Sequence, residues 1–156
     1  MDSISSPSVF TMNVERVRCD LRILTDLVRQ GEIRGVDWSP DPHDPWIIVL
    51  GAFRLPAGRF NLPDCNLKLP LLVNLYDRLP GLRERYAFYS AIFIDDRLRR
   101  RGADGRWETI PRQYRPDGAE AGKGWAFLCV QPGTVGQEMD IRAVFPIVQR
   151  FLFNPR

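Results

Sequence analysis

At 156 residues, 44% of them hydrophobic, the chain has the size of one ordinary globular domain around a single core, and nothing in it suggests a second. Its 22 basic and 19 acidic residues leave a net charge of +3 spread along the sequence, too mild a bias to point to nucleic acid. Three cysteines, Cys19, Cys65 and Cys129, are odd in number and far apart, which argues against a disulfide framework or a CxxC metal site and fits a reducing compartment.

In chain order, residues 1–12 are small and polar and read as a disordered tail, with residues 13–156 as the single domain. This start lacks a basic signal-like region, and no segment approaches the roughly 18 apolar residues of a membrane helix, so the expectation is a cytoplasmic protein with no membrane partner. From Asn13 the apolar residues Val14, Val17, Leu21, Leu24 and Val28 form one helical stripe, with Asn13 as the cap and Gly31 as the terminating glycine. The other face carries Arg16, Arg18 and Arg22, which read either as a solvated surface or as a docking face; Cys19 lies off the stripe.

Short extended segments follow. Ile33 to Trp38 is a possible strand, Ser39 to Pro45 a proline-rich loop, and Trp46 to Phe53 a strand rich in β-branched and aromatic residues. Leu67 to Leu75 and Tyr86 to Ile94 read as further strands; in the second both alternate sets of side chains are largely apolar, as in a central strand covered on both sides. Asp95 to Ile110 reads as a charged hairpin or loop with Gly102-Ala103-Asp104-Gly105 at its tip. Trp125 to Leu128 is an apolar run ending at Cys129. After Asp140, a helix cap, the residues Ile141, Val144, Phe145, Val148, Phe151 and Leu152 fall at helical spacing. The fold class expected is α+β: an antiparallel β-meander flanked by an N-terminal and a C-terminal helix.

The chemistry has few candidates. The sole histidine, His43, sits in the proline-rich loop, so neither a histidine triad nor a multi-histidine metal site is available. Phosphate-cradling glycine motifs are absent. The neighbouring acids Asp95 with Asp96, and Glu138 with Asp140, lie in loops where carboxylates mostly solubilise. Cys129 is left as the candidate nucleophile, weighed against the alternative that it is buried packing.

Several short motifs occur in an order that resembles the ubiquitin-conjugating (E2) fold. Leu75-Tyr76-Asp77-Arg78-Leu79-Pro80 keeps the spacing of the family's proline-tyrosine element, and Val148-Gln149-Arg150-Phe151-Leu152 with Asn154-Pro155 is similar to its closing helix. The resemblance is closer to the minimal bacterial E2-like proteins of antiphage operons of the CBASS and Bil types, of which Bil is slightly favoured. It is carried by Pro111-Arg112-Gln113-Tyr114, by the Leu128-Cys129 step and by Pro146 within the closing helix. The family's histidine-proline-asparagine tripeptide is missing, its place taken by Pro111 to Tyr114, and the two extra C-terminal helices of eukaryotic members have no counterpart.

The resemblance implies an enzyme that carries a ubiquitin-like protein, or a target's C-terminus, as a thioester on Cys129 and passes it to an amine. It implies three partners: an activating enzyme docked on the helix bearing Arg16, Arg18 and Arg22, a ubiquitin-like modifier, and a target protein. No cofactor or metal is required. Gln113 would take the part of the oxyanion-stabilising asparagine and Arg112 that of a cation beside the thiol, with Tyr114 packing beneath the cysteine loop. A catalytically silent E2-variant or RWD-like interaction module is the alternative; a nucleic-acid domain using Arg97 to Arg101 is a third.

Overall fold

The computed structural model describes residues 14–39, 41, 46–70, 92–114, 123–128 and 140–153, the side chains of residues 14–16 and 114 excepted. The tail, the proline-rich loop with His43, the extensions to Leu75 and from Tyr86, and Cys129 lie outside this set, as does the Asn13 cap.

The chain is α+β. Helix α1 (Val14–Arg29) is followed by strands β1 (Gly35–Ser39), β2 (Trp46–Arg54), β3 (Asp64–Pro70) and β4 (Ile92–Asp95). Next come β5 (Arg99–Arg101), β6 (Trp107–Thr109), β7 (Gln113–Tyr114) and β8 (Trp125–Leu128). A 3₁₀ turn (Ile141–Ala143) leads into α2 (Val144–Phe153). Six strands form an antiparallel sheet in the order β1-β2-β3-β4-β8-β7, and β5 and β6 form a separate two-stranded sheet. The expected meander therefore holds through β4 and then breaks: the chain leaves as the β5–β6 hairpin and returns so that the later strand, β8, takes the place beside β4.

Helix α1 ends as its glycine foretells. Gly31 has φ +75°, its N–H donates to Val28 O at 3.0 Å and the Glu32 N–H donates to Leu27 O at 2.9 Å, the paired bonds of a Schellman cap. The buried face is rotated from the expected stripe: Val17, Asp20, Leu24 and Leu27 are buried, while Leu21 and Val28 are half-buried. A carboxylate thus stands inside the apolar face.

Register defines one inner face of the sheet. Ile47 pairs with Leu69, Val49 with Leu67, Leu67 with Ile94, and Ile92 with Leu128; all of these side chains are fully buried. Val17 and Leu24 of α1, Ile141, and Val144, Val148 and Leu152 of α2 join the same cluster, so both helices cover this face. Burying such side chains contributes roughly 1.5–3 kcal/mol each as an upper estimate. The far face is less covered than two apolar alternations suggested: Phe93 of β4 is half-buried and meets Phe127 edge-on at 5.7 Å.

Strand β3 begins at Asp64, three residues before the expected start, and a bulge in β2 explains how. The register shifts between Val49 and Phe53, Gly51 adopts φ +61°, and Asn66 Oδ1 accepts from the Gly51 N–H at 2.9 Å and from an Arg34 guanidinium N–H at 3.0 Å. Arg34 also bridges to Asp64. A side-chain amide supplies what the interrupted ladder lacks.

The closing segment begins on four satisfied donors. The Ile141 N–H donates to Asp20 Oδ1 at 3.1 Å, the Arg142 N–H to Asp140 Oδ1 at 2.9 Å, the Ala143 N–H to Asp140 O at 3.0 Å and the Val144 N–H to Ile141 O. Asp140 is the expected cap. Pro146, third in α2, falls in the first turn, where its missing N–H costs little. At the other end Phe153 packs on Phe53 and Phe60 at 6.1 and 6.2 Å between ring centroids, and its carbonyl accepts from Arg59 at 2.9 Å. Among the described residues, no helix is long and apolar enough to cross a membrane.

Candidate functional site

The candidate site is built on the turn between β6 and β7. The Gln113 N–H donates to Ile110 O at 3.1 Å, closing a four-residue turn with Pro111 and Arg112 at its centre. Proline suits the first central position because its ring pre-sets φ; the second here requires positive φ, which favours glycine. Arg112 occupies it with φ 59°, and among the described residues it is the one non-glycine in that region. Its guanidinium lies over the Phe151 ring of α2, 5.8 Å from the centroid. The turn is thereby tied to the closing helix.

Gln113 locks the turn a second time. Its Oε1 accepts from the Ile110 N–H at 3.2 Å, so both backbone groups of Ile110, a residue 2% exposed, are satisfied by one glutamine. Only the side-chain oxygen can accept that proton, which fixes which way the amide is turned. The Gln113 NH₂ group then has no hydrogen-bond partner among the described residues.

The turn feeds directly into β7, whose register places Gln113 opposite Leu128 and Tyr114 opposite Phe127. Leu128 is fully buried and immediately precedes Cys129 in the sequence. The Pro111–Tyr114 element and the end of the Trp125–Leu128 run, separate in sequence, are thus adjacent strands. Cys129 itself, and the side chain of Tyr114, lie outside the described residues.

The other cysteines differ from each other. Cys19 is exposed on α1. Cys65 is 1% exposed, and burial, then the charges of Asp64 and Asp95, push its thiol far above the ordinary range; it is packing. Arg18 and Arg22 are exposed on α1, while the Arg16 side chain is outside the described set. Among the described residues no group of three or more His, Cys, Asp or Glu is placed to hold a metal ion.

The charged hairpin is present with the expected Gly102–Gly105 tip: the Gly102 N–H donates to Arg106 O at 2.8 Å and the Gly105 N–H to Gly102 O at 3.0 Å. Most of its arginines are engaged. Arg97 bridges to Asp95 at 2.7 Å, Arg100 to Glu108 at 2.9 Å, and Arg99 donates to the carbonyls of Asp96 and Leu98. With Arg97 and Arg100 paired to carboxylates and Arg99 donating to backbone, Arg101 alone is left without such a partner among the described residues, a poor phosphate track that weakens the nucleic-acid reading.

Two features of the site escaped the sequence. Asp20, fully buried, drew no attention in the sequence, although its place three residues after Val17 and four before Leu24 marks it as a carboxylate on the buried face. The reciprocal Gln113–Ile110 bonding has no local motif to announce it. Comparison of the chain with protein-family models, with characterised proteins and with solved structures finds no match. The class defined by the fold is therefore the coarse one, an α+β domain with two helices on one face of an antiparallel sheet.

Proposed function

We propose that the chain is an E2-like acyl carrier of a bacterial antiphage system, holding a ubiquitin-like protein or a target's C-terminus as a thioester on Cys129 and delivering it to an amine. The observation that carries this reading is the pairing of Gln113 with Leu128, the residue before Cys129, combined with a glutamine amide whose oxygen is occupied and whose NH₂ is left to donate.

The chemistry asked of the site is modest. In the loading step the Cys129 thiolate attacks the thioester carbonyl on the activating enzyme; a new C–S bond forms and the activating enzyme's thiolate leaves. In the discharge step an amine attacks the same carbonyl, the C–N bond forms, the Cys129 thiolate leaves and the amine's proton passes to solvent. Exchange between thioesters is nearly balanced, so the nucleophile needs access and a thiolate fraction more than a dedicated base. During discharge negative charge builds on the carbonyl oxygen. The Gln113 NH₂ is the donor assigned to it, a contribution on the order of 10²–10³ in rate when such a donor is lost. Arg112 supplies positive charge to the same end of the sheet. Arg16, Arg18 and Arg22 on α1 form the face assigned to the activating enzyme.

The test is a loading assay. The chain is incubated with its activating enzyme, modifier and ATP, and resolved with and without reductant. A reductant-labile adduct on the parent chain, absent from Cys129→Ala, is expected; no adduct on the parent chain overturns the carrier reading and leaves the silent E2-variant module.

A further inference from the structure

The β5–β6 hairpin sorts its charges by face. Register pairs Arg99 with Thr109, Arg100 with Glu108 and Arg101 with Trp107, and residues directly opposite share a face. The Arg100–Glu108 ion pair therefore lies on one side. On the other stand Arg99, Arg101, Trp107 and Thr109, with two cations and no carboxylate.

Arg101 is distinct within this set. Its guanidinium carbon is 4.9 Å from the centroid of the Trp107 ring, and it meets no carboxylate or carbonyl acceptor among the described residues, unlike Arg97, Arg99, Arg100 and Arg106. Trp107 is 45% exposed, one of two large hydrophobic side chains so placed among the described residues. An arginine parked on an indole keeps its planar fork of donors pointed outward and gives up little freedom on binding. Exposed tryptophan and arginine side by side are the side chains that most often dominate protein interfaces.

We propose that this Arg99, Arg101, Trp107 and Thr109 face is a docking surface for an acidic segment of a partner protein, a role beyond the carrier chemistry and independent of it. The fork of Arg101 matches a carboxylate, Arg99 adds positive potential from the next position on the same face, and the indole accepts an apolar neighbour of the acid. A nucleic-acid strand fits less well. Each strand is three residues long, about 10 Å at ~3.3 Å per residue, and stacking a base on Trp107 would displace the guanidinium already there.

The experiment uses the full chain, ¹⁵N-labelled, titrated with a synthetic octapeptide of alternating glutamate and leucine and followed by the tryptophan indole signals, the Trp107 signal being assigned with Trp107→Phe. The Trp107 indole is expected to shift with the peptide, with affinity falling at least about tenfold in Arg101→Glu, and falling with added salt as an interaction of exposed charges must. Arg101→Gln is measured alongside, and the conclusion is drawn from whichever variant melts with the parent chain. Three results would overturn the proposal: a silent Trp107 indole, equal binding of a glutamine–leucine octapeptide, or tighter binding of a thymidine dodecanucleotide at the same residues.

Discussion

Asp20 Oδ1 accepts the backbone N–H of Ile141 at 3.1 Å across 121 residues of sequence, so the middle of the first helix caps the start of the last. The carboxylate is fully buried, and the donor is one that no residue of its own helix can satisfy. Removing it leaves a buried N–H without a partner, at a cost of about 1–3 kcal/mol. Asp20→Ala is expected to lose stability in that range by urea unfolding, and Asp20→Asn, which keeps an acceptor, to lose less than half as much. Asp140→Ala removes the exposed partner of the same cap and is expected to cost about 0.5–2 kcal/mol. An Asp20→Ala variant as stable as the parent chain would refute this capping role.

Arg112 sets two effects of similar size against each other. A side chain in the left-handed region costs roughly 1–2 kcal/mol relative to glycine, while an exposed cation–aromatic contact such as that with Phe151 contributes about 0.5–1 kcal/mol. Arg112→Gly is therefore expected to be neutral or slightly stabilising, with a change in thermal midpoint of only a few degrees. Arg112→Val, β-branched at the same φ and without the contact, is expected to destabilise by about 1 kcal/mol or more beyond the parent. If the turn also positions the thioester chemistry, Arg112→Gly loads more slowly while melting normally.

The glycines at 31 and 51 share positive φ but not surroundings. A Cβ at Gly31 meets nothing within 4 Å, whereas one at Gly51 would lie 2.9 Å from the Arg34 Cβ and 3.1 Å from Asp64 Oδ2. Gly31→Ala should cost about 1 kcal/mol, the conformational penalty alone. Gly51→Ala adds the clash and disturbs the Arg34–Asp64–Asn66 bonding, and its loss is expected to exceed that of Gly31→Ala by at least about 1 kcal/mol. Equal losses in chemical denaturation would show that the bulge tolerates a side chain.

Asp95 gives the fold a pH dependence with a definite sign. Burial opposes its charge, but hydrogen bonds from Arg97, that residue's positive charge and a hydrogen bond from Asn66 outweigh the penalty and hold the carboxyl below the usual carboxylate range. A group depressed in the folded state contributes stability above its unfolded pKa and loses it as pH falls through the folded value. The contribution is thus intact from about pH 5 upward and fades below about pH 4. Arg97→Gln should narrow the stability gap between pH 6 and pH 3 in urea titrations; an unchanged gap would show that the pair contributes nothing to acid sensitivity.

Thiol accessibility separates the cysteines. Under native conditions iodoacetamide is expected to modify Cys19 and to spare Cys65, which becomes reactive only in denaturant; peptide mass mapping reads the sites directly. A carrier role requires Cys129 to be modified under native conditions as well. Native labelling of Cys65 would contradict its burial.

The helices were the most legible part of the chain, because each carries a single apolar period with a glycine or aspartate where the backbone needs one. Gly31 and Asp140 do what their types and positions imply. Strand boundaries were less legible at β3, since Asp64 to Asn66 carry the polar groups that repair the Gly51 bulge and so do not look like strand. The order of β7 and β8 depends on pairing between distant segments, which no local pattern encodes. The Pro111–Tyr114 element stood out only by resemblance; its turn, with arginine where glycine is favoured, follows no residue preference. Asp20 received no reading from the sequence: its spacing to Val17 and Leu24 places a carboxylate on the buried face, but the donor it meets, the Ile141 N–H, lies 121 residues away.

The wall that α2 builds has a consequence for how the polypeptide is made. Val144, Val148 and Leu152 are fully buried against side chains from the first half of the molecule, and Phe153 is clasped by Phe53, Phe60 and Arg59. During translation the earlier strands therefore emerge with α1 already made but with the part of the apolar face that α2 covers still open until that helix leaves the ribosome. Over that interval, set by ~5–20 residues per second of synthesis, that part of the sheet is open to solvent and its strand edges are exposed to wrong pairing.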